Sequence, residues 1–448
     1  MILEYSVKNY KVFKETAHLS FIASNYDKET LEKENVQYVD EKNLRVLKSA
    51  VVYGANASGK TKLFESLAFF KRFVLESSKE SQQGEKIDIQ PFLLCETTKD
   101  EPSEFEIVFS YQKALYRYGF EVTSEKVLAE WLFYKPKSRE YQIFYRDSEE
   151  KTLESHPKFF KKGAMLHSES MVRDNALMLS VAAQFNDEIC SNVLNWFTHG
   201  LSIVSSLREN GYKGYTMMKN DQDGFHEKLM NLMKVADFSI QDIQSKVLTT
   251  NEISEHTPPE LKEFLMNKIQ NEHAVIYTKC ETIHHVYDKL NQVVGKTSFS
   301  LDEDESHGTQ KFFYLAGPIL NTLEMGKTLF IDEFDARLHP NLVIKLYSLF
   351  NDPTINKTGA QLIITAQNSI FLQSGLLRKD QIWFVEKDRF EAAHLYSLAE
   401  FKSVQVRKSE NFETNYLNGK YGAIPYLNLL THFNEEACEQ EKPWPPEK

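Results

Sequence analysis

The sequence predicts an α/β protein in which a mixed sheet is flanked by helices and interrupted by a mainly helical insertion. Three short apolar runs, rich in β-branched residues, are typical of buried parallel strands: SAVVY at 49–53, TLFI at 328–331 and QLIIT at 361–365. Between the first and second runs, residues of about 165–290 carry apolar side chains mostly at helical spacing. The simplest assembly is one domain whose two halves flank this insertion.

The predicted domain boundaries follow from that assembly. The first half is assigned to 1–164, the insertion to 165–290, and the second half with a C-terminal extension to 291–448. In the first half, strands are predicted at 2–7 and 17–22, an exposed polar connection at 25–48, and a hairpin at 105–111 and 115–122. Within the insertion, helical stripes are predicted at 225–236 and 261–269, and the final residues EKPWPPEK are predicted to be disordered or to lie loosely on the surface.

Composition restricts the class of protein. The chain has 448 residues, a net charge of −11 and an ordinary globular content of 42% hydrophobic residues. A broad DNA-coating surface is unlikely at this charge because phosphate binding relies on Lys and Arg, although a local basic groove stays open. Four scattered cysteines indicate neither a zinc site nor a disulfide framework. Without a signal-peptide pattern or a membrane-length apolar run, we expect a cytoplasmic protein.

The strongest motif follows the first buried strand. Residues 54–61 read GANASGKT, which satisfies the G-x-x-x-x-G-K-[ST] pattern of a phosphate-binding loop, and an amphipathic helix follows. Its glycines let backbone N–H groups turn toward phosphate, and the helix N-terminus adds its positive dipole end. Lys60 is predicted to reach the β and γ phosphates and Thr61 to ligate Mg²⁺. The candidate ATP-binding residues of this loop are Gly54, Asn56, Ser58, Gly59, Lys60 and Thr61.

A second motif follows the strand at 328–331. This strand delivers two adjacent carboxylates at its C-terminal end, Asp332 and Glu333. Asp332 is suited to the Mg²⁺ shell, and Glu333 to polarising the water that attacks the γ-phosphate. Together with the phosphate-binding loop, this Walker B pattern predicts an enzyme that binds ATP and Mg²⁺ and hydrolyses ATP.

Several further segments resemble ABC-type P-loop ATPases. The stretch ESHGTQK at 305–311 occupies the place of the Ser-x-Gly signature, which implies that Ser306 and Gly308 face a γ-phosphate held by a partner subunit. The stretch DARLHP at 335–340 resembles the D-loop, which places Asp335 at a dimer seam. NYKVF at 9–13 is similar to the opening of SMC-like ATPases, where Lys11 would touch a phosphate. By the same resemblance, Gln90 is a candidate Q-loop ligand of Mg²⁺.

One position departs from the family pattern. After the QLIIT strand such ATPases carry a switch histidine, whereas this chain reads Thr365-Ala366-Gln367-Asn368. Gln367 can donate a hydrogen bond to a γ-phosphate, but it cannot carry positive charge or relay a proton. The resemblance therefore implies slow hydrolysis, with ATP acting mostly as a clamp or switch.

Taken together, the motifs resemble the RloA and AbiL group of ATPases from bacterial defence islands, PARIS-type anti-phage subunits, and the ATPase half of overcoming-lysogenization-defect nucleases. About 80 residues follow the switch region, and they show no acidic cluster with Toprim spacing. The resemblance implies an abortive-infection ATPase that forms homodimers or higher homo-oligomers. It would control a separately encoded effector, such as a Toprim-type nuclease, in response to a phage-derived trigger, without any membrane.

Two other functions remain open from the sequence. One is a DNA-clamping repair ATPase of the SMC or RecF kind, which the acidic charge and the lack of long coiled coils disfavour. The other is a scaffold that ATP stabilises, in which the glutamine at 367 reflects weak catalysis.

Overall fold

A computed structural model describes residues 1–39, 44–79, 82, 84–205, 209–222, 224–237, 239–247, 277–373, 375–401 and 410–425. Two compact units divide the chain. The first contains Met1–Ser205, Leu323–Ala336 and Ile344–Lys448, and the second contains Ser206–Thr322 and Arg337–Val343. The helical stripe predicted at 261–269 and the surface tail at 441–448 lie outside the described residues.

The elements are numbered in chain order. The strands are β1 Ile2–Lys8, β2 Ala17–Ser20, β3 Val36–Val39, β4 Leu44–Leu47, β5 Ser49–Tyr53, β6 Ser103–Tyr111, β7 Ala114–Val122, β8 Val127–Lys135, β9 Tyr141–Asp147, β10 Thr152–Ser155, β11 Leu201–Val204, β12 Ile240–Val247, β13 Tyr277–Tyr287, β14 Val293–Ser300, β15 Thr328–Ile331, β16 Gln361–Thr365, β17 Ile382–Lys387 and β18 Ala393–Ser397. The helices are α1 Glu32–Asn35, α2 Lys60–Glu76, α3 Lys161–Ser168, α4 Met178–Gln184, α5 Glu188–Asn195, α6 Glu209–Asn220, α7 Phe225–Ala236, α8 His307–Met325, α9 Pro340–Asn351, α10 Ile370–Gln373 and α11 Phe412–Leu417.

An antiparallel sheet forms one layer of the first unit. Its strand order is β10-β9-β8-β7-β6-β1-β2. The predicted hairpin is confirmed, since β6 and β7 pair with Phe105 opposite Phe120. Along β6 (SEFEIVFSY) buried residues alternate with half-buried ones, as the period-2 pattern of its sequence predicts. One face of this sheet therefore turns toward the core of the unit.

The other layer is a six-stranded mixed sheet, ordered β11-β15-β16-β5-β17-β18. All strands are parallel except β18, and all residues of β5, β15 and β16 are buried, as expected for continuous apolar runs. Helix α2 packs between the sheets, with Phe70 stacked on Phe120 and Phe64 edge-on to Phe330. This arrangement confirms the α/β fold with a mixed sheet and brings the carboxyl ends of the parallel strands to one edge.

The chain departs from the predicted domain boundaries near residue 165. Helices α3, α4 and α5 and strand β11 belong to the first unit, and β11 pairs in parallel with β15. The run LSIV of β11 is apolar and short, so sequence alone does not separate it from the helices before it. The connection predicted to be exposed at 25–48 contains β3 and β4, which pair with each other and bury Val46 and Leu47.

The second unit adds a sheet to the insertion that the sequence predicted to be mainly helical. Its described part contains α6, α7 and most of α8, but also an antiparallel sheet ordered β12-β13-β14. The sheet extends beyond the predicted end of the insertion, since β14 is Val293–Ser300. In β13, TIHHVY mixes β-branched and aromatic residues, which favour a strand over the helix that apolar spacing alone suggested. In the described part of the chain, no helix is long and apolar enough to cross a membrane.

Candidate ATP site

The phosphate-binding loop joins the end of β5 to the start of α2. Glycine is required at position 54 by a close neighbouring atom and at position 59 by the backbone conformation. A Cβ atom on Gly54 would lie 2.4 Å from the Val385 carbonyl oxygen, and Gly59, the N-cap of α2, has a φ of +119°. Ala57 also has a left-handed φ of 62°. The loop therefore has the tightly wound backbone that turns N–H groups inward at a helix N-terminus.

Lys60 is held inside this loop. Its ammonium group donates hydrogen bonds to the carbonyl oxygens of Gly54 at 2.6 Å and Ala55 at 3.1 Å. Burial lowers the pKa of Lys60, and the charges of Asp332, Asp335 and Glu333 act in the opposite direction. Lys60 is thus a nearly buried cation within the loop. Its ammonium group can replace its hydrogen bonds to carbonyl oxygens with hydrogen bonds to phosphate oxygens.

A threonine that was not predicted as a site residue links the two Walker B residues. Asp332 is 2% exposed, and its Oδ1 accepts a hydrogen bond of 2.6 Å from the hydroxyl of Thr365, the last residue of β16. The same hydroxyl accepts a 2.7 Å hydrogen bond from the backbone N–H of Glu333. Glu333 has a φ of 51°, an uncommon conformation for a residue with a side chain, and the threonine bridge stabilises it.

Asp335, which follows Walker B, is hydrogen-bonded to the switch segment, residues 365–368. Its Oδ2 accepts hydrogen bonds from the backbone N–H groups of Gln367, at 2.9 Å, and Asn368, at 2.6 Å. The side chain of Gln367 is exposed. Asp335 thus fixes the backbone of the switch segment while the amide of Gln367 stays accessible.

These residues surround a cavity of about 500 Å³. The predicted site residues that line it are Asn56, Ser58, Gly59, Lys60, Thr61, Glu333 and Gln367. Five further lining residues were not predicted as site residues: Val12, Ala55, Ala57, Lys62 and Lys387. Lys387 ends β17, and Lys62 is in the first turn of α2, so their positions follow from the fold and not from a motif. The cations of Lys60, Lys62 and Lys387 make this cavity suited to a polyphosphate.

Lys11 and Gln90 do not line the cavity. Lys11 forms an ion pair of 2.6 Å with Glu65 on α2, and its backbone N–H donates to the carbonyl oxygen of Gln90. Gln90 is exposed. Val12, the neighbour of Lys11, lines the cavity instead. The N-terminal segment therefore borders the cavity through Val12, whereas Lys11, predicted to touch a phosphate, has a carboxylate partner in the structure.

The predicted signature residues belong to the second unit. Ser306 precedes α8, and its hydroxyl oxygen accepts a hydrogen bond of 3.1 Å from the Thr309 backbone N–H, as an N-cap does. A Cβ atom on Gly308 would lie 3.1 Å from the Arg337 carbonyl oxygen, so this position favours glycine. Ser306 is exposed. Each of these features agrees with a helix N-terminus that faces outward.

The donor set fits a nucleotide with Mg²⁺. Asp332 Oδ2 and Ser58 Oγ are buried and have no hydrogen-bond partner among the described residues. An unpaired buried carboxylate oxygen, on a residue whose charge acts on Lys60, is the kind of ligand that Mg²⁺ takes together with phosphate oxygens. No cluster of three or more His, Cys, Asp and Glu occurs in the described ranges, so an all-protein metal cage is not found there. Asp332 and Thr61 would hold the ion jointly with the phosphates.

The family comparison agrees with a phosphate-binding loop at this place. Residues 49–372 match the family described as "AAA domain, putative AbiEii toxin, Type IV TA system". No curated protein matches the chain. Among solved structures, the SMC head domain from Thermotoga maritima is similar at 13% identity and a TM-score of 0.40, covering 88% of this chain and 98% of that one. Because the family match spans more than half of the sequence, the protein belongs to this family of P-loop ATPases.

Proposed function

We propose that the protein hydrolyses ATP slowly and acts as the regulatory ATPase of a bacterial anti-phage defence system. The observation that carries the enzymatic part is the single cavity shared by Lys60, Thr61, Glu333 and Gln367. It combines a phosphate cradle with Glu333, whose backbone N–H is bonded to the hydroxyl of Thr365. Phosphoryl transfer depends mainly on such positioning and charge stabilisation.

Each residue has a distinct task in the proposed reaction. Lys60 neutralises charge on the β and γ phosphates, and Thr61 and Asp332 bind the metal ion. Glu333 orients the attacking water and accepts its proton. The Mg²⁺ that Thr61 and Asp332 would hold would supply positive charge to offset the negative charge developing on the phosphate oxygens. Gln367 contacts the γ-phosphate through its amide, which supplies a hydrogen bond but no charge. This last difference accounts for the slow rate that we propose.

We further propose that the active site is shared between two copies of the protein. All residues that line the cavity belong to the first unit, and Ser306 and Gly308 belong to the second. Ser306 is exposed at the N-terminus of the 19-residue helix α8, where unpaired N–H groups and the helix dipole favour an anion. A second copy would therefore supply the signature residues to the γ-phosphate, with Asp335 near the seam.

The defence role is supported by two likenesses. The family description names a toxin and a type IV toxin–antitoxin system. The motif pattern resembles defence-island ATPases that act with a separately encoded effector, commonly a Toprim-type nuclease. In this proposal ATP-driven assembly holds the effector inactive, and a phage-derived trigger releases it in the cytoplasm.

The test compares the wild type with Glu333→Gln for ATP turnover, ATP affinity and oligomeric mass with and without ATP. We expect slow turnover by the wild type, a loss of about 100-fold in the variant, and retained ATP binding with an ATP-dependent increase in mass in both. Glu333→Gln keeps the size of the side chain and removes its basicity, so folding is preserved. Equal turnover by the two proteins would contradict the role of Glu333, and ATP-bound protein that stays monomeric would contradict the shared site.

A further inference from the structure

We infer that a second cleft in the first unit binds a nucleotide-type ligand, that is, a phosphate group joined to an aromatic base. Such a ligand can be a free nucleotide or the end of a nucleic acid strand. The cleft has a volume of about 990 Å³, which is at the upper end of the range for small-molecule sites. None of its described lining residues lines the ATP cavity, so the two sites are separate.

The cleft lies at the opposite edge of the mixed sheet from the ATP site. Lys327, which lines the cleft, immediately precedes β15, whereas Asp332 and Glu333 immediately follow it. Five residue steps along an extended strand separate Lys327 from Asp332 by roughly 16 Å. The cleft is therefore outside the Walker machinery but connected to it by one buried strand.

The charge of the lining is the main support for an anionic ligand. Lys113, Lys135, Lys137 and Lys327 line the cleft together with His199, and none of its described lining residues is Asp or Glu. At the frequency of acidic residues in the whole chain, 64 in 448, about three acidic residues would be expected among twenty lining positions. A chain with a net charge of −11 thus keeps one concave surface basic.

Three of these lysines are placed together by the register of the antiparallel sheet. Lys113 is in the tight turn between β6 and β7, where both turn residues, Gln112 and Lys113, have a positive φ. Lys135, the last residue of β8, pairs with Leu115, two residues after Lys113. Lys137 follows directly. Within the described residues, no ion pair involves these three ammonium groups, so they are available to phosphate oxygens.

Aromatic residues provide the second half of the recognition. Tyr38 and Tyr111 are the aromatic lining residues that a ligand can reach, because Trp196, which also lines the cleft, is only 1% exposed and is stacked on Phe109. Tyr38 is 50% exposed, and its hydroxyl donates a hydrogen bond of 2.8 Å to Glu32, which restrains the ring. Stacking on aromatic side chains is how proteins bind nucleobases without regard to sequence. Lysines beside accessible rings therefore favour a nucleotide over a simple inorganic anion.

A neighbouring lysine, Lys71, is within reach of the positive charge of Lys327. The ammonium of Lys71 donates a hydrogen bond to the Leu201 carbonyl oxygen. Burial lowers the pKa of Lys71 to about 8, and the charge of Lys327 adds to the decrease. An anion in the cleft would relieve this repulsion, because it would favour the charged form of both lysines.

The experiment uses the full chain carrying Lys60→Ala, so that the ATP cavity does not contribute. Fluorescence anisotropy with labelled, 5′-phosphorylated octathymidylate measures binding at several salt concentrations. We expect binding whose log–log salt slope is about −2, as for three phosphate contacts on a single strand. Lys113→Glu/Lys135→Glu/Lys137→Glu should weaken it at least about tenfold. The matched control is Lys151→Glu/Lys158→Glu/Lys161→Glu, which changes three exposed lysines elsewhere and should change affinity less than about twofold.

Competition and ring substitution identify the ligand. Displacement of the probe by thymidine monophosphate indicates a free nucleotide, and displacement by unlabelled oligonucleotide alone indicates a strand end. Tyr38→Ala should weaken binding about tenfold, and Tyr38→Phe should not. If the triple variant does not fold, judged by its thermal unfolding, Lys137→Glu alone should cost about threefold. The inference is overturned if the probe does not bind at low salt, if the control variant loses equal affinity, or if inorganic phosphate displaces the probe at the same concentration as the nucleotide or oligonucleotide does.

Discussion

The two groups of predicted ATP-contacting residues are built in opposite ways. In the first unit, Asp332 is buried, Glu333 has a strained backbone, and Thr365 joins them by hydrogen bonds of 2.6 and 2.7 Å. In the second unit, Ser306 is exposed, and its hydroxyl bonds to Thr309 of the helix that it caps. The first group is preorganised for charge before any ligand binds, whereas the second is a surface feature. This contrast is what an active site completed by another molecule requires.

The largest expected effects come from two variants, one of which lowers the affinity for ATP and the other the turnover. Lys60→Ala should weaken ATP binding by about 100-fold, because two charged hydrogen bonds to phosphate are lost. Ser306→Arg should leave the affinity of the isolated chain nearly unchanged and lower turnover by about 100-fold. Titration calorimetry and a phosphate-release assay measure the two quantities. Equal loss of affinity in both variants would show that the two groups do not differ as described.

Mixing two inactive variants sharpens the comparison further. In a homodimer, a Ser306→Arg copy still offers an intact phosphate loop, and a Glu333→Gln copy still offers an intact signature. An equimolar mixture should recover about one quarter of wild-type turnover, since half of the dimers contain one complete site of two. Turnover is measured after exchange of subunits without ATP. Absence of recovery, with mixed dimers confirmed by mass, would mean that each copy completes its own site.

The threonine bridge gives an intermediate effect. Thr365→Val removes the hydroxyl between Asp332 Oδ1 and the Glu333 N–H and leaves both groups buried without a partner. We expect a loss of about 1–3 kcal/mol in the free energy of unfolding and a decrease in turnover of about tenfold. Thr365→Ser keeps the hydroxyl and serves as the control, with turnover close to wild type. Denaturant unfolding and phosphate release at saturating ATP provide the measurements.

The smallest expected effect concerns the switch residue. Gln367→His should raise turnover by about tenfold, because an imidazole can carry charge and relay a proton. The gain should depend on pH around the ordinary histidine pKa of about 6.5, a dependence that glutamine cannot show. The side chain of Gln367 is exposed, so the exchange should not alter stability. A pH–rate profile with no increase at any pH would refute the proposal that glutamine slows the reaction.

Local sequence patterns predicted the parts of the site that are formed by residues adjacent in the sequence. The phosphate-binding loop and the Walker B carboxylates each form a short segment after a buried strand, so sequence was sufficient to find them. Thr365 was missed because its role depends on β16 lying beside β15, a pairing between distant residues. Lys11 was predicted to contact phosphate, but its distance from Glu65 in the sequence concealed their ion pair.

The fold shows the same division. Continuous apolar runs and alternating hairpin strands were correctly identified because their periodicity is local. Strands β12 to β14 were not predicted, since few of their residues are core-facing: β14 is exposed almost throughout. Such a strand lacks the alternation of apolar and polar residues by which strands are predicted, and its apolar residues are hard to distinguish from those of a short helix.

The hydrogen bonds of Asp335 have a consequence for signalling. One carboxylate oxygen holds two successive backbone N–H groups, those of Gln367 and Asn368. In the proposed dimer Asp335 is near the seam, so a displacement of about 1 Å there would lengthen both bonds beyond hydrogen-bonding distance. Binding of a second subunit would then change the position of the Gln367 backbone, and with it the contact to the γ-phosphate, without any other side chain taking part. The Asp335 carboxylate would thereby couple subunit association to recognition of the γ-phosphate.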